Sequence, residues 1–236
     1  MEKKIIIKSN LSNKEPTKDI SKDDIKNKIP LVASKNLKRV KISKDIVFGS
    51  NQIPIIAGPN GVESFELMAK VAKQLKKNKI KIIRGHAYKP LTFPYRSKMY
   101  KESKSSGMDI MDEIKKEFSL KVVTEVTEIR HLGRITKTAD ILQIGSRNMQ
   151  NLELLKEVSN TKFPIILKRH FGASLRDFLG AAEHILVNGN QNLILCERGV
   201  SMPHTHRSTS RFALDIQAIP ALKEITKFPI ISDPSH

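Results

Sequence analysis

The sequence predicts an α/β fold of the (β/α)8 TIM-barrel class, apparently lacking the last helix-strand-helix. Short β-branched runs recur along the chain, and segments with the apolar periodicity of amphipathic helices lie between them. This alternation predicts right-handed βαβ units and a parallel sheet. No G-x-G-x-x-G motif follows the first of these runs, which favours a barrel over a doubly wound dinucleotide-binding fold.

Seven strands are predicted along the chain. They are IPIIA (53–57), IKIIR (80–84), KVVTEV (121–126), DILQIG (140–145), PIILKR (164–169), NLILCE (192–197) and PIISD (229–233). Helical patterns separate them at 62–77, 108–118, 128–138, 151–160, 174–188 and 213–226. The seventh run lies at the end of the sequence, so we expect the first and seventh strands to have unpaired edges.

The segments before the first barrel strand follow other patterns. Residues 1–30 are rich in Lys, Asn and Asp without sustained periodicity, which predicts a basic flexible tail or at most a short helix. The incomplete barrel domain is expected over residues 31–236. Within it, KRVKIS (38–43) and DIVFGS (45–50) alternate like a hairpin that closes one end of the barrel.

Composition restricts the classes of function. No apolar run approaches the roughly 18 residues of a membrane span, so we expect a cytoplasmic protein without a membrane partner. The single cysteine, Cys196, excludes an intrachain disulfide. A net charge of +18 is compatible with nucleic-acid binding. The lysines are scattered and Trp is absent, however, which favours small anionic substrates over nucleic acid.

Polar side chains follow most of the predicted strands. They are Asn60, Arg84, His86, Lys89, Glu125, Arg147, Asn148, Lys168, Arg169, His170, Glu197, Arg198, Asp233 and His236. Barrel enzymes place their chemistry at the carboxyl ends of the strands. The Lys and Arg side chains among them would form a ring of positive charge at one end of the barrel. Clustered cations repel one another unless an anion neutralises them, so this ring predicts a phosphorylated, carboxylated small-molecule ligand.

Several motifs of the sequence resemble one enzyme family. IIAGPNGVES, RGHAYKPLTFPY, VVTEV, DILQIGSRNMQN, PIILKRH, GNQNLILCERGV and PIISDPSH occur in the order found in type I 3-deoxy-D-arabino-heptulosonate 7-phosphate (DAHP) synthases. The resemblance covers about residues 31–236. It implies a transferase on a (β/α)8 barrel that joins phosphoenolpyruvate to erythrose 4-phosphate and releases phosphate. This condensation is the first step of the shikimate pathway to chorismate and the aromatic amino acids.

The resemblance also implies roles for individual residues. The cations that would hold the phosphate and carboxylate of phosphoenolpyruvate are Arg84, Lys89, Arg147, Lys168 and Arg198. Thr92 would contact the phosphate of the aldose. Glu125 would stabilise charge or accept a proton beside the enol carbon, and Lys89 would protonate the new alkoxide. His236 would complete the catalytic set as a metal ligand. Family members are usually dimers or tetramers, so a homo-oligomer is implied.

The sequence departs from the family pattern at both ends of the implied site. The family binds a divalent metal (Mn, Fe or Zn) partly through a cysteine, and Asn60 stands at that position. His236 is the only implied metal ligand recognisable in the sequence. Leu91 replaces the arginine expected at the aldose phosphate. His86 and His170 replace family glycines and could form a different metal site with His204 or His206.

These departures leave alternatives beside DAHP synthesis. Metal-independent 3-deoxy-octulosonate 8-phosphate synthases carry Asn at the cysteine position, which makes such an enzyme one alternative for this sequence. A catalytically impaired paralogue that only binds phosphoenolpyruvate is the other, because the cations are retained while Asn60 and Leu91 change the metal and aldose ends.

Overall fold

A curled sheet of seven parallel strands organises the computed structural model, which describes residues 20–88, 104–202 and 212–235. The sheet consists of β3 to β8 and β11, and β1 with β2 and β9 with β10 form two separate antiparallel pairs. The strands of the described residues are β1 (Val40–Ser43), β2 (Ile46–Phe48), β3 (Ile56–Ala57), β4 (Ile82–Arg84), β5 (Lys121–Glu125), β6 (Ile141–Ile144), β7 (Ile165–Lys168), β8 (Leu193–Glu197), β9 (Val200–Ser201), β10 (Phe212–Ala213) and β11 (Ile230–Ser232). The sheet order β11-β8-β7-β6-β5-β4-β3 follows the chain, and each neighbouring pair is parallel. The predicted parallel sheet of the barrel class is confirmed.

Helices connect the parallel strands, as the alternating pattern predicted. They are α1 (Phe65–Lys77), α2 (Lys104–Phe118), α3 (Leu132–Ile135), α4 (Leu152–Asn160), α5 (Leu175–Val187) and α6 (Ala218–Ile225). Ser64, Asn151 and Ser174 cap α1, α4 and α5, since each side-chain oxygen accepts a backbone N–H of the first turn. None of the helices in the described residues is long and apolar enough to cross a membrane.

Two predicted helices are shorter in the structure. The segment predicted as a helix over 213–226 begins as β10, which pairs antiparallel with β9, and becomes helical only at Ala218. The segment 128–138 forms a 3-10 turn at Ile129–His131 followed by the single turn of α3. Tertiary pairing overrides the helical periodicity in the first case.

The hairpin of β1 and β2 lies at the amino-terminal end of the sheet, as predicted. Its buried residues Val40, Ile46 and Phe48 share one cluster with sheet side chains. Those sheet side chains are Ile82, Val123, Ile141, Ile166, Ile194 and Cys196. Burial raises the pKa of the Cys196 thiol to about 12, so this side chain is an inert part of the core. A site for chemistry is therefore expected at the opposite, carboxyl-terminal end of the sheet.

Residues 20–30 correct one sequence-based expectation. We predicted a flexible tail or at most a short helix over residues 1–30, but Ile20 and Ile29 are buried in the main core cluster. A π-helical turn at Asp24–Lys28 lies between them, and Asp24 pairs with Arg176 of α5. These residues are therefore packed against the barrel, and residues 1–19 lie outside the described part of the chain.

Glu183 of α5 anchors the start of the barrel domain, which leads to a test of stability. Its buried carboxylate accepts the backbone N–H groups of Leu31 at 2.9 Å and Val32 at 2.8 Å. Glu183→Gln can accept only one of the two, so we expect a loss of about 1–3 kcal/mol in the free energy of unfolding. Urea denaturation measures this loss. Glu224→Gln, the same change at an exposed position of α6, is the control, and equal midpoints for both variants would contradict the anchor.

Candidate functional site

The carboxyl-terminal edge of the sheet brings charged side chains together. β4 ends at Arg84, β5 at Glu125 and β7 at Lys168, and a 3-10 turn directly after β6 carries Arg147. Because neighbouring strands are parallel and in register, these ends meet at one edge. The positive charges of Lys168, Arg84 and Arg147 all act on the Glu125 carboxylate, which places the four residues in one site.

Glu125 lies at the centre of this site. The side chain is buried, and loss of hydration raises the pKa of its carboxyl group above the ordinary value. The three cations and a hydrogen bond from Gln143 oppose that shift, but burial is the larger effect. The Gln143 bond joins Nε2 to Glu125 Oε2 at 3.3 Å. Glu125 therefore accepts a proton more readily than an exposed carboxylate, as a general base requires.

Asp233, the residue directly after β11, adds a second carboxylate to this site. Its Oδ2 accepts a hydrogen bond from Lys168 Nζ at 2.5 Å and lies 3.9 Å from Arg84 Nη1. Arg84 Nε is buried and has no hydrogen-bond partner among the described residues. A buried guanidinium donor without an acceptor is costly, and an anionic ligand would satisfy it.

A cavity of about 540 Å³ opens beside these charges, within the range of small-molecule sites. Arg84, Gln143, Lys168 and Asp233 supply polar parts of its wall. Much of the remaining wall comes from the segments at both outer strands of the sheet, residues 53–58 and 231–235. Gly58 has a φ of +142°, and a Cβ there would lie 2.2 Å from the Arg84 carbonyl oxygen. Glycine is therefore required for β3 to approach the end of β4.

Arg198 and Arg169 follow neighbouring strands but differ in their surroundings. The Arg198 guanidinium stacks on Phe212, with 3.9 Å between Cζ and the ring centroid, so the β9–β10 pair helps to hold it. Arg169 Nη1 instead donates to Glu197 at 2.9 Å and to Asp215 at 3.0 Å. Arg169 and Glu197 are thus a structural ion pair that fastens the segment after β10 to the sheet.

The two histidines at strand ends, His86 and His170, also lie in different surroundings. His86 is buried, and its Nδ1 accepts the backbone N–H of Glu125 at 2.9 Å. His170 packs against Phe171 with ring centroids 4.1 Å apart and ring planes inclined by 32°, and its Nδ1 accepts the N–H of Gly172. The contact of His86 with Glu125 was missed by sequence reasoning, which marked His86 as a strand-end residue and as a candidate metal ligand.

The described residues do not fit the divalent metal implied by the resemblance. Asn60 is exposed after the Gly58–Pro59 turn, and its amide is a weaker ligand for transition metals than a thiolate. No group of three or more His, Cys, Asp or Glu side chains suited to a metal ion occurs within residues 20–88, 104–202 and 212–235. A metal site built on His86 and His170 therefore finds no support there.

Several predicted site residues lie outside the described residues. They are Lys89, Leu91, Thr92, His204, His206 and His236. Their proposed roles stay predictions. Of the other implied ligands of phosphoenolpyruvate, the structure brings Arg84, Arg147 and Lys168 around Glu125 and places Arg198 directly after β8.

Comparisons with known proteins give a consistent family. The sequence model of the DAHP synthetase I family matches residues 31–236. A phospho-2-dehydro-3-deoxyheptonate aldolase of Thermotoga maritima is 38% identical over 192 residues, 81% of this chain and 55% of the relative. A 2-dehydro-3-deoxyphosphooctonate aldolase of Methylococcus capsulatus is 27% identical over 193 residues, 77% of this chain and 64% of the relative.

The fold agrees with these sequence matches. The crystal structure of the Thermotoga maritima DAHP synthase superposes with a TM-score of 0.76 at 36% identity, covering 85% of this chain and 56% of that structure. The chain thus spans between half and two thirds of the length of these relatives. With the family match covering most of its residues, the chain belongs to the DAHP synthetase I family.

Proposed function

We propose that the chain condenses phosphoenolpyruvate with erythrose 4-phosphate to give DAHP and phosphate, as a 3-deoxy-7-phosphoheptulonate synthase. The observation that carries this proposal is the convergence of Arg84, Arg147 and Lys168 on the buried carboxyl group of Glu125. Family membership and the name of the Thermotoga maritima relative support it.

The charges of the site suit phosphoenolpyruvate. This substrate carries a phosphate and a carboxylate, and guanidinium groups bind both anions through paired hydrogen bonds. Arg84 Nε offers a donor without a partner in the described residues. Lys168 is held by Asp233, so a bound phosphate or carboxylate would compete with Asp233 for the same ammonium group. Arg147 is exposed at the rim of the site, where it can meet an incoming anion.

The proposed reaction places Glu125 beside C2 of the substrate. C3 of phosphoenolpyruvate attacks the aldehyde carbon, and positive charge develops at C2. Water then forms a C2–O bond while one of its protons passes to the Glu125 carboxylate. The C2–O bond to phosphate breaks, the remaining hydroxyl becomes the ketone, and its proton leaves with phosphate. We assign to Lys89 the donation of a proton to the alkoxide formed from the aldehyde. Once phosphate has left, the proton held by Glu125 returns Lys89 to its charged form, so that both groups are restored.

A second candidate function rests on Asn60. The resemblance links this residue to 3-deoxy-octulosonate 8-phosphate synthases, and the Methylococcus capsulatus relative carries the name of such an aldolase. That enzyme would use arabinose 5-phosphate in place of erythrose 4-phosphate. The higher identity to the Thermotoga maritima relative, 38% against 27%, favours the four-carbon aldose.

Assembly and location are part of the proposal. We expect a homodimer or homotetramer, and the exposed side chains Ile53 and Ile55 beside β3 supply apolar surface that contact with another copy would cover. A cytoplasmic location is proposed, where phosphorylated sugars are available. Light scattering after size exclusion tests the oligomer.

The activity test combines purified protein with phosphoenolpyruvate and either erythrose 4-phosphate or arabinose 5-phosphate. We expect phosphate release that depends on erythrose 4-phosphate, with DAHP identified by mass spectrometry. Faster turnover of arabinose 5-phosphate would replace the first candidate by the second. Binding of phosphoenolpyruvate without turnover of either aldose would contradict the catalytic proposal and identify a binding paralogue.

Substitution of Lys168 tests the phosphoenolpyruvate site. Lys168→Met removes one charge-assisted contact worth about 1.5–3 kcal/mol, so we expect the dissociation constant of phosphoenolpyruvate to rise roughly 10- to 100-fold. Titration calorimetry measures this change, and thermal unfolding checks the fold. Lys156→Met, the same change at an exposed position of α4, should bind like the wild type. Equal affinities for the two variants would exclude Lys168 from the site.

Metal dependence gives a further test of the site. Because Asn60 offers an amide where the family has a thiolate, we expect activity to persist after treatment with EDTA. Asn60→Cys should raise the affinity of the protein for Mn²⁺ or Zn²⁺, measured by calorimetry. Complete loss of wild-type activity in EDTA, with recovery on addition of Mn²⁺, would contradict this expectation.

A further inference from the structure

We propose that His86 is a positioning residue that holds the Glu125 carboxyl group in place and controls when it carries a proton. The inference rests on the proposed function only for its catalytic consequence, because the contacts themselves are independent of the substrate. His86 stands where the related family motif has glycine, so this role is a property of the present chain.

The hydrogen bonds of His86 fix which ring nitrogen carries hydrogen. Nδ1 accepts the backbone N–H of Glu125 at 2.9 Å, so Nδ1 acts as an acceptor in this contact. In a neutral imidazole with Nδ1 as acceptor, the hydrogen lies on Nε2. The ring is 1% exposed, which protects this arrangement from exchange with solvent. The backbone of Glu125 thereby makes His86 Nε2 a donor.

That donor faces the functional carboxyl group. His86 Nε2 lies 3.8 Å from Glu125 Oε2 and 3.4 Å from Gln143 Nε2. Gln143 Nε2 in turn donates to Glu125 Oε2 at 3.3 Å. In this arrangement only Gln143 donates to the Glu125 oxygen, because 3.8 Å is beyond hydrogen-bond distance. His86 Nε2–H instead faces the Gln143 amide nitrogen, which is itself a donor, so it has no acceptor among these three side chains.

The same three residues also accommodate a protonated Glu125. If the Gln143 amide turns by 180°, its Oε1 accepts from His86 Nε2–H and from a Glu125 O–H. All three side chains then keep hydrogen-bond partners without a change in His86. The two states differ by one proton on Glu125 and the orientation of one amide, and only the state with a protonated Glu125 gives His86 Nε2–H an acceptor within this network. His86 therefore favours the protonated carboxyl group.

Other groups around Glu125 restrict the carboxyl group without duplicating this role. Arg84 from β4, Arg147 after β6 and Lys168 from β7, itself paired with Asp233, act through charge. On another side, a Cβ at Gly145 would lie 1.9 Å from Glu125 Oε1, so the end of β6 abuts the carboxyl group. The carboxyl group is thus confined between Gly145 on one side and the His86 and Gln143 side chains on the other.

This network matches the proton transfer proposed for water addition. Glu125 must be a carboxylate before it accepts a proton from water, and must hold that proton until phosphate leaves. The arrangement in which Gln143 donates to Glu125 suits the first requirement, and the turned amide suits the second. Within this network, His86 Nε2–H is hydrogen-bonded only with the turned amide, so His86 helps to hold the proton on Glu125.

Two substitutions separate the halves of the contact. The Oδ1 of His86→Asn can replace Nδ1 as acceptor for the Glu125 N–H but provides no donor at the Nε2 position. The Nε2 of His86→Gln can replace the donor but leaves the Glu125 N–H without its acceptor. His184→Asn, at an exposed position of α5, is the control for loss of a histidine.

The pH dependence of condensation is the first readout. Loss of the donor removes the hydrogen bond that favours the protonated form of Glu125, so the pKa of Glu125 falls and the acid limb of kcat/KM should move down by about 0.5–1 pH unit in His86→Asn. We expect the phosphoenolpyruvate dissociation constant to stay within about twofold of the wild type. His86→Gln should lower the thermal midpoint while keeping the acid limb nearer to that of the wild type. An unchanged acid limb in His86→Asn would overturn the proposal.

A direct titration separates this inference from the proposed reaction. In protein labelled with ¹³C at the Glu carboxyl groups, the Glu125 signal is assigned by its loss in Glu125→Gln. We expect Glu125 to titrate at lower pH in His86→Asn than in the wild type and in His184→Asn. This result would support the network even if no condensation is detected. Identical Glu125 titrations in the three proteins would overturn it, whatever the activity.

Discussion

Parallel hydrogen bonding between neighbouring strands is the constraint on which the site depends. Each ladder fixes the register of one strand end against the next, so the last residues of β4, β5 and β7 meet at the same edge. The hairpin of β1 and β2 fills the opposite end with apolar side chains. Polar groups can then gather at only one end of the curled sheet, and the charged site forms there.

The balance of charge at that edge points to an anionic ligand. Arg84, Arg147 and Lys168 act on the buried Glu125 carboxylate, and Arg84 and Lys168 also lie near Asp233. Burial favours a proton on Glu125. Once Glu125 is protonated, it no longer balances the positive charges of the nearby arginines and lysine. An anion with phosphate and carboxylate groups would supply the missing negative charge. The anion and the Glu125 proton therefore act on the same charges, and His86 is placed to influence the proton.

The strands and the main cations could be predicted from the sequence because both depend on local pattern. β-Branched runs marked all seven parallel strands, and their last residues identified Arg84, Glu125 and Lys168. The missed features depend on residues far apart in the chain. Glu183 orders Leu31 from 152 positions away, and Asp215 neutralises Arg169 from 46 positions away. No local pattern reveals such partners, and the same holds for the hydrogen bond between His86 and the Glu125 backbone.

Calorimetric titration of the full chain with phosphoenolpyruvate tests the central claim most directly. If the strand ends form the anion site described here, one molecule should bind per chain. Inorganic phosphate should then weaken binding more than KCl at the same ionic strength, because phosphate competes for the guanidinium and ammonium donors. Absence of binding, or equal weakening by both salts, would contradict a built site for phosphoenolpyruvate at this edge of the sheet.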